Sequence, residues 1–455
     1  MATLIGERQA RRGFRPVTRE SLLLAAILVG VPNLFFLIVM PFYIAERLLA
    51  PLLYLIAGMA ALVLPRRCSY LLLPLAAAAD LGLIVMTAFH LKLATALNSL
   101  RFLAEIDPAA SAFYVALVAT MLATALLTAW LIERFRARVR AASPTPAALA
   151  ALALMLLDWH ANFPFIEAGG RDLPFESAVT ASGMDAEAVA ARGNNVLIVM
   201  VEGMGAFASA EDRMRISAPL RAAAERRGYR FESGTSAYSG STTGAESREL
   251  CGRWGDYVDY LRPLAHDCLP RRLAARGYET ISYHGFDAAM FHRGHWYPNI
   301  GFTEMNFQAA IERDHKAMVP SRCGSVFRGL CDGEVARVVR RALTAPSERP
   351  KFVYWLTLNS HIPFVPHPRG RLGCDRAAPP FGNRTVCRLS EYWQEVMDEV
   401  AAIAADPALP PTDILIVGDH HTPLWERSAK NRFVLNRVDW FLLRSARIAR
   451  RSPPA

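Results

Sequence analysis

Lysine, charge and closely spaced cysteines are all scarce in this 455-residue chain. Only four of its 51 basic residues are lysine, and an arginine- and alanine-rich bias of this kind fits GC-rich coding. The net charge of +10 is not gathered into a basic run interleaved with aromatics, and no zinc knuckle or helix-turn-helix pattern accompanies it. The basic balance therefore gives no indication of a nucleic-acid partner. Charged residues make up only 20% against 53% hydrophobic, which excludes a disordered, collagen-like or low-complexity protein. No C-x-x-C pair occurs among the seven cysteines, which disfavours a zinc cluster.

What is present in quantity is apolar sequence, concentrated in the first third. Leu22–Tyr43 follows a basic leader of Arg8, Arg11, Arg12, Arg15 and Arg19. It is too long for a signal-peptide core and lacks a small-residue cleavage site, so it reads as a span. Leu52–Leu64, Tyr70–Phe89, Phe113–Ile132 and Ala147–Trp159 are further candidates, the second and fifth being short. Strict alternation puts the leader, Arg66-Arg67 and the Arg134–Arg140 group on one side, as the positive-inside tendency requires. Five spans then place everything after residue 160 outside. Five helices exceed what an anchor needs. Asp80, in the third span, is a costly intramembrane charge that either caps a short span or marks a site; no role is assigned to it.

Cysteine usage agrees with this topology. Cys68 stands alone, whereas Cys251, Cys268, Cys323, Cys331, Cys374 and Cys387 all fall in the exported part. An even count fits disulfides in an oxidising compartment, and nearest-neighbour pairing is expected. Residues 161–194 show no sustained period and are expected to be a linker. The layout is thus a transmembrane domain of five helices over 1–160, the linker, and an exported domain over 195–455.

In that domain apolar runs alternate with helical patterns. Strands are expected at Asn195–Val201, Glu279–Tyr283, Lys351–Leu358 and Asp413–Val417, with helices at Pro219–Arg227, Gly333–Leu343 and Leu389–Ala405. This alternation predicts a mostly parallel sheet covered on both faces. Ligands bind beyond the carboxyl ends of such strands. Polar residues follow each run there: Glu202 in VEGMG, His284 in YHG, His361 in NSHIPF, and Asp419-His420-His421 in GDHH. Ser239–Gly244 is a hydroxyl-rich turn ahead of a helix. Singly, such residues often cap a turn or bond a carbonyl. Jointly, carboxylate and imidazole groups around a hydroxyl suit zinc or manganese with an activated threonine, and the helix N-terminus beside it favours an anion such as phosphate.

The ordered set resembles the alkaline phosphatase and sulfatase superfamily, and within it the membrane-bound phosphoglycerol transferases of the lipoteichoic acid synthase type. The segment HGFDAAMFHRGHWYPNIGF, His284 to Phe302, carries the likeness together with NSHIPF, GDHH and STTGAE. The resemblance implies one divalent metal, zinc or manganese, held by Glu202, Thr242, Asp419 and His420. It implies Thr242 as nucleophile, with Thr243 as the alternative one residue on. His284, Arg293 and His361 would hold the phosphoryl substrate, and Phe291 stands where the family has tryptophan. His421 is expected behind the metal or facing solvent. Sulfatase chemistry itself is disfavoured, because no C/S-x-P-x-R motif lies near residue 242.

The implied activity is transfer of phosphoglycerol from phosphatidylglycerol in the membrane, through a phosphothreonine, to a glycan or other hydroxyl-bearing envelope acceptor. The implied setting is the bacterial inner membrane, with the catalytic domain in the periplasm. The cysteine-rich exported domain is similar to that of phosphoethanolamine transferases, which gives the first alternative. A phosphodiesterase on the same centre and a catalytically silent lipid-binding relative are the others.

Overall fold

The computed structural model describes residues 17–88, 111–170, 173–262 and 267–445, together with Leu93, residues 96–97, Leu100 and residues 108–109. The rest of the leader, the end of the third expected span and His266 lie outside the described residues. The chain divides into two units.

The first unit gathers Met1–Pro41, Ala45–Ile84 and Ala116–Phe163. Its helices are α1 (Arg19–Val39), α2 (Ala50–Val63), α3 (Ser69–Ala88), α4 (Ala112–Val139) and α5 (Thr145–Gly170). Among the described residues four helical stretches are long and apolar enough to cross a bilayer, and α2 is a shorter apolar helix, as expected for the second span. The fifth expected span, Ala147–Trp159, continues as helix to Gly170. Arg136 on α4 closes the end of α2, donating to the carbonyls of Ala61 at 2.8 Å and Leu62 at 2.9 Å, which have no partner one turn ahead.

Asp80 has a partner that the sequence pattern does not reveal. Arg47 reaches it through Nη2 at 2.5 Å and through Nε at 3.2 Å, and both residues are buried. Tyr54 donates to the same carboxylate at 3.3 Å, and Asn33 accepts from Arg47 Nη1 at 3.2 Å. Every charge in this cluster is hydrogen-bonded, which is the condition for tolerating it in an apolar interior.

The second unit gathers Phe42–Ile44, Val85–Val115 and Pro164–Ala455. The expected linker is partly structured. Ser177 caps α6 (Ala178–Ala181), and Asp185 caps α7 (Ala186–Arg192), which Gly193 ends in a left-handed conformation. Ala178, Val179, Met184, Ala186 and Val189 are buried in the core of the α/β domain. The helices are too short to show a helical period, and their stability comes from this packing.

Among the described residues the main sheet has eight strands. Its centre is parallel: β1 (Asn195–Val201) lies between β6 (Lys351–Leu356) and β7 (Thr412–Gly418), and β4 (Glu279–His284) and β5 (Glu304–Phe307) extend it beyond β6. The other side is antiparallel. There β8 (Phe433–Arg444) pairs with β7, β2 (Gly205–Phe207) and β3 (Arg230–Ala237). One face of the sheet is covered by α8 (Ala218–Arg227), α11 (Asp332–Thr344) and α12 (Arg384–Ala405). The opposite face is covered by α6, α7, α9 (Thr242–Cys251) and α10 (Arg293–Ile300). The strands β1, β6 and β7 are buried throughout, which is why they read as uninterrupted apolar runs. Three disulfides, Cys251–Cys268, Cys323–Cys331 and Cys374–Cys387, follow the expected nearest-neighbour pairing, and Cys68 is free.

Candidate metal centre and phosphoryl site

Because β1, β4, β6 and β7 run parallel, their carboxyl ends deliver side chains to one edge of the sheet. Glu202 leaves β1 and Asp419-His420 leave β7. One ligand atom from each of these three buried residues lies within 4.8 Å of the others. The backbone between them is tightly fitted. A β-carbon on Gly418 would collide with the Met204 carbonyl oxygen, so only glycine lets the strand end this close to the turn after β1. Gly203, at φ +64°, donates its N–H to Asp419 Oδ1 at 2.7 Å.

Three further contacts fix Glu202. Its N–H donates to Thr357 Oγ1 at 2.9 Å, and its carbonyl accepts from Ser360 Oγ at 2.7 Å and Trp393 Nε1 at 3.1 Å. Ser360 falls within the NSHIPF segment, but Thr357 and Trp393 carried no signal in the sequence, since a side chain bonding a distant backbone group has no local pattern. His420 places Nδ1 at 3.0 Å from the carbonyl of His421, which leaves Nε2 facing both carboxylates, 3.3 Å from Asp419 and 3.5 Å from Glu202. His421 is itself buried.

Thr242 is the first residue of α9, with Ser241 as its cap. Its Oγ1 lies 2.9 Å from Asp419 Oδ2 and 3.4 Å from Glu202 Oε2. Thr243 turns away and bonds Asp256 and Ser241. The two registers left open by the sequence thus have different surroundings, and of the two only Thr242 faces Glu202 and Asp419.

The electrostatics are those of a site short of positive charge. Burial raises Glu202, but the His420 hydrogen bond and the charges of His361 and His420 outweigh it and hold the carboxyl at about 2. Burial and the Glu202 charge push Asp419 up to about 7. His420 is raised to about 9: burial lowers it, and the Asp419 charge with the Glu202 hydrogen bond more than compensates. Among the described residues no arginine or lysine pairs with either carboxylate. Two acidic groups, one imidazole nitrogen and one hydroxyl form a hard, mostly oxygen donor set with an unmet demand for a cation, so these residues fit a divalent metal.

Of the expected phosphoryl-holding residues, His284 and His361 lie near enough to this cluster to feel the Glu202 charge. His284 ends β4, buried, with Nδ1 3.1 Å from the Leu356 carbonyl. Burial first, then the Arg293 charge, lowers it to about 3 from the usual 6.5. At neutral pH it is an uncharged ring whose Nε2 can accept a proton or a hydrogen bond. Below pH 6.5 the unfolded chain takes up a proton that the folded one refuses. Stability from this group is therefore present above the unfolded value and is lost as pH falls toward the folded one. His284→Gln is expected to flatten the decline in melting temperature between about pH 6.5 and pH 4. A decline of unchanged steepness in the variant would contradict this.

His361 follows β6 on a loop held by Asp332, whose carboxylate accepts from the N–H groups of Leu358 at 3.0 Å and Asn359 at 2.7 Å. Its ring meets the edge of Phe327 at 4.8 Å, and its Nδ1 is buried without a hydrogen bond among the described residues. Burial lowers its pKa, while Glu202 opposes that. Phe291 is half-buried, with the Arg293 guanidinium 5.4 Å from its ring centre. Arg293 itself is buried against Glu246, its Nη2 at 3.0 Å and its Nε at 3.2 Å from Oε2. The guanidinium that the resemblance assigns to the phosphoryl group is thus shared with a carboxylate. Glu246, the last residue of STTGAE, went unassigned from sequence, although its place four residues after Thr242 puts it on the same helical face.

A family model described as Sulfatase matches residues 194–431. No curated protein matches the chain. Among solved structures, the chain is similar to the lipoteichoic acid synthase LtaP from Listeria monocytogenes, at 16% identity and a TM-score of 0.42 over 58% of this chain and 68% of that one. It is also similar to the phosphoglycerol transferase GacH of Streptococcus pyogenes, at 17% identity and a TM-score of 0.41 over 58% and 73%. The lipooligosaccharide phosphoethanolamine transferase A from Neisseria meningitidis matches over 93% of this chain and 87% of its own, at 13% identity and a TM-score of 0.47.

Proposed function

The chain belongs to the sulfatase family, and from that premise we propose that it is a multi-pass membrane phosphotransferase that moves phosphoglycerol from phosphatidylglycerol to an envelope acceptor through Thr242. The observation that carries this reading is the Thr242 hydroxyl lying against Glu202 and Asp419 at the ends of the parallel strands. The spelling C/S-x-P-x-R does occur twice, at Ser217–Arg221 and Cys268–Arg272, but Ser217 is buried with its Oγ donating to the Arg213 carbonyl at 2.8 Å, and Cys268 is tied up in a disulfide with Cys251. Neither offers a nucleophile for sulfate-ester chemistry, whereas Thr242 offers one for phosphorus.

Glu202, Asp419, His420 and Thr242 would hold one zinc or manganese ion. A bound divalent cation would supply positive charge that favours the ionised hydroxyl and offsets charge on the phosphoryl oxygens. In the first step Thr242 Oγ1 forms a bond to phosphorus, and the bond from phosphorus to the diacylglycerol oxygen breaks. Diacylglycerol leaves with a proton, and a phosphothreonine diester carrying glycerol remains. Arg293 stabilises the equatorial oxygens. His361 or His284, both uncharged at neutral pH, then takes the proton of the acceptor hydroxyl as that oxygen displaces Thr242. The apolar helices give the donor a place to keep its acyl chains while its head group reacts. The orientation read from the arginine clusters puts the α/β domain on the periplasmic side of the inner membrane.

Phosphoethanolamine transfer is the second reading, favoured by the three disulfides of the exported domain. One experiment addresses both. The full chain in detergent is incubated separately with phosphatidylglycerol and phosphatidylethanolamine, and the Thr242 peptide is weighed by mass spectrometry. Added glycerophosphate is expected. Added phosphoethanolamine would transfer the reading to the second donor, and an unmodified peptide with both lipids would remove the covalent step.

A further inference from the structure

Arg293 and Thr242 approach the phosphoryl site from different elements, and one buried carboxylate joins them. Glu246 lies one turn beyond Thr242 on α9 and has no solvent exposure. Oε2 accepts from Arg293 Nε at 3.2 Å and Nη2 at 3.0 Å. Oε1 accepts from the Tyr297 hydroxyl on α10 and from the Tyr354 hydroxyl on β6 at 3.3 Å. A single side chain therefore connects the nucleophile's helix, the arginine's helix and the centre of the sheet.

The arginine needs such a clamp. It follows Phe291 and His292, two consecutive non-glycine residues with φ of 52° and 54°. Left-handed backbone at two bulky side chains persists only where the surroundings hold it. With Nε and Nη2 committed to Glu246, Nη1 is the nitrogen with no hydrogen bond among the described residues. The clamp thus decides where the one remaining donor edge of the guanidinium points.

We propose that Glu246 is a positioning residue that holds Arg293 and Thr242 as one rigid unit, so that the arginine's charge and the attacking hydroxyl meet the phosphoryl group together. The proposal rests on the phosphotransferase reading above. It assigns Glu246 no contact with substrate; its effect passes through Arg293. Misplacing a catalytic group by about 1 Å costs on the order of 100-fold in rate.

The test is a double-mutant cycle on the full-length, metal-loaded chain, using whichever of the two lipids loads Thr242. Glutamine keeps the volume of Glu246: its carbonyl faces the guanidinium and its amide faces the tyrosine oxygens. Glu246→Gln is expected to lower kcat about 100-fold with KM for the lipid changed less than about threefold, because the lost alignment matters in the transition state. Arg293→Lys lowers kcat as well, and the double variant is expected to be no slower than Arg293→Lys alone. Losses that multiply in the double variant would overturn the proposal, since Glu246 would then act independently of Arg293. Should Glu246→Gln fail to fold, Tyr297→Phe removes one donor from the same carboxylate. Its expected loss of about fivefold must vanish in the Arg293→Lys background, and a loss that persists there overturns the proposal equally. Full activity in both Thr242→Ala and Arg293→Lys would instead sink the site reading, and the positioning role with it. Inactive Thr242→Ala with an additive cycle sinks the positioning role alone.

Discussion

Thr242→Ala is expected to reduce transfer by about 10⁴-fold or more, as loss of a covalent nucleophile does elsewhere. The same change at Thr243 is expected to cost far less in rate and to appear mainly as lost stability. The difference follows from where each hydroxyl points. Thr242 Oγ1 faces Asp419 and Glu202, whereas Thr243 is buried and bonds Asp256 and Ser241. Truncating Thr243 leaves a buried carboxylate short of a donor, a penalty of about 1–3 kcal/mol. Thr242→Ser keeps an oxygen on the β-carbon and is expected to retain measurable turnover. The check is turnover of labelled lipid by each variant, together with its melting temperature. If Thr243→Ala abolishes turnover while Thr242→Ala preserves it, the nucleophile is the second threonine and the geometry has been misread.

The second large effect concerns the metal. The purified chain is expected to carry about one divalent ion, measured by elemental analysis, and Asp419→Asn or His420→Ala is expected to lower its affinity by more than about 100-fold. That figure is a lower bound, because residues that merely orient a ligand already account for about 10- to 100-fold. Removing the ion would also leave two buried carboxylates compensated by one imidazole. A ligand present at about 1,000 times its dissociation constant stabilises the folded state by about 4 kcal/mol. Chelation is therefore expected to lower the melting temperature of the α/β domain by roughly 10 °C, reversibly on adding back zinc or manganese. A chain with no bound metal, whose activity and melting are both indifferent to chelator, would refute the centre.

Much of this site was legible in the sequence because of one feature of the fold. Strands covered on both faces are apolar throughout, so each run and its first polar successor stand out in the chain. Glu202, His284, Asp419 and His420 stand out that way, as does His361 on the loop after β6. The antiparallel side was not. In β8, Asn436, Arg437 and Asp439 interrupt the apolar run, yet Asp439 is fully buried because Arg213 reaches it at 2.8 Å. A charge neutralised from another element cannot be told from an exposed one by pattern. The same blindness hid the short helices of residues 178–192, which are stabilised by a core remote in sequence.

Arg293 and Asp80 show the limit most clearly. The chain by itself determined that a guanidinium follows Phe291 and His292, and that a carboxylate lies within an apolar helix. Only the tertiary structure decided that Glu246 clamps the first and Arg47 neutralises the second. Local periodicity is written in neighbouring residues, because backbone geometry repeats every two or 3.6 positions. The partner of a buried charge is set by which distant surfaces pack together, and that choice exists only once the chain has folded.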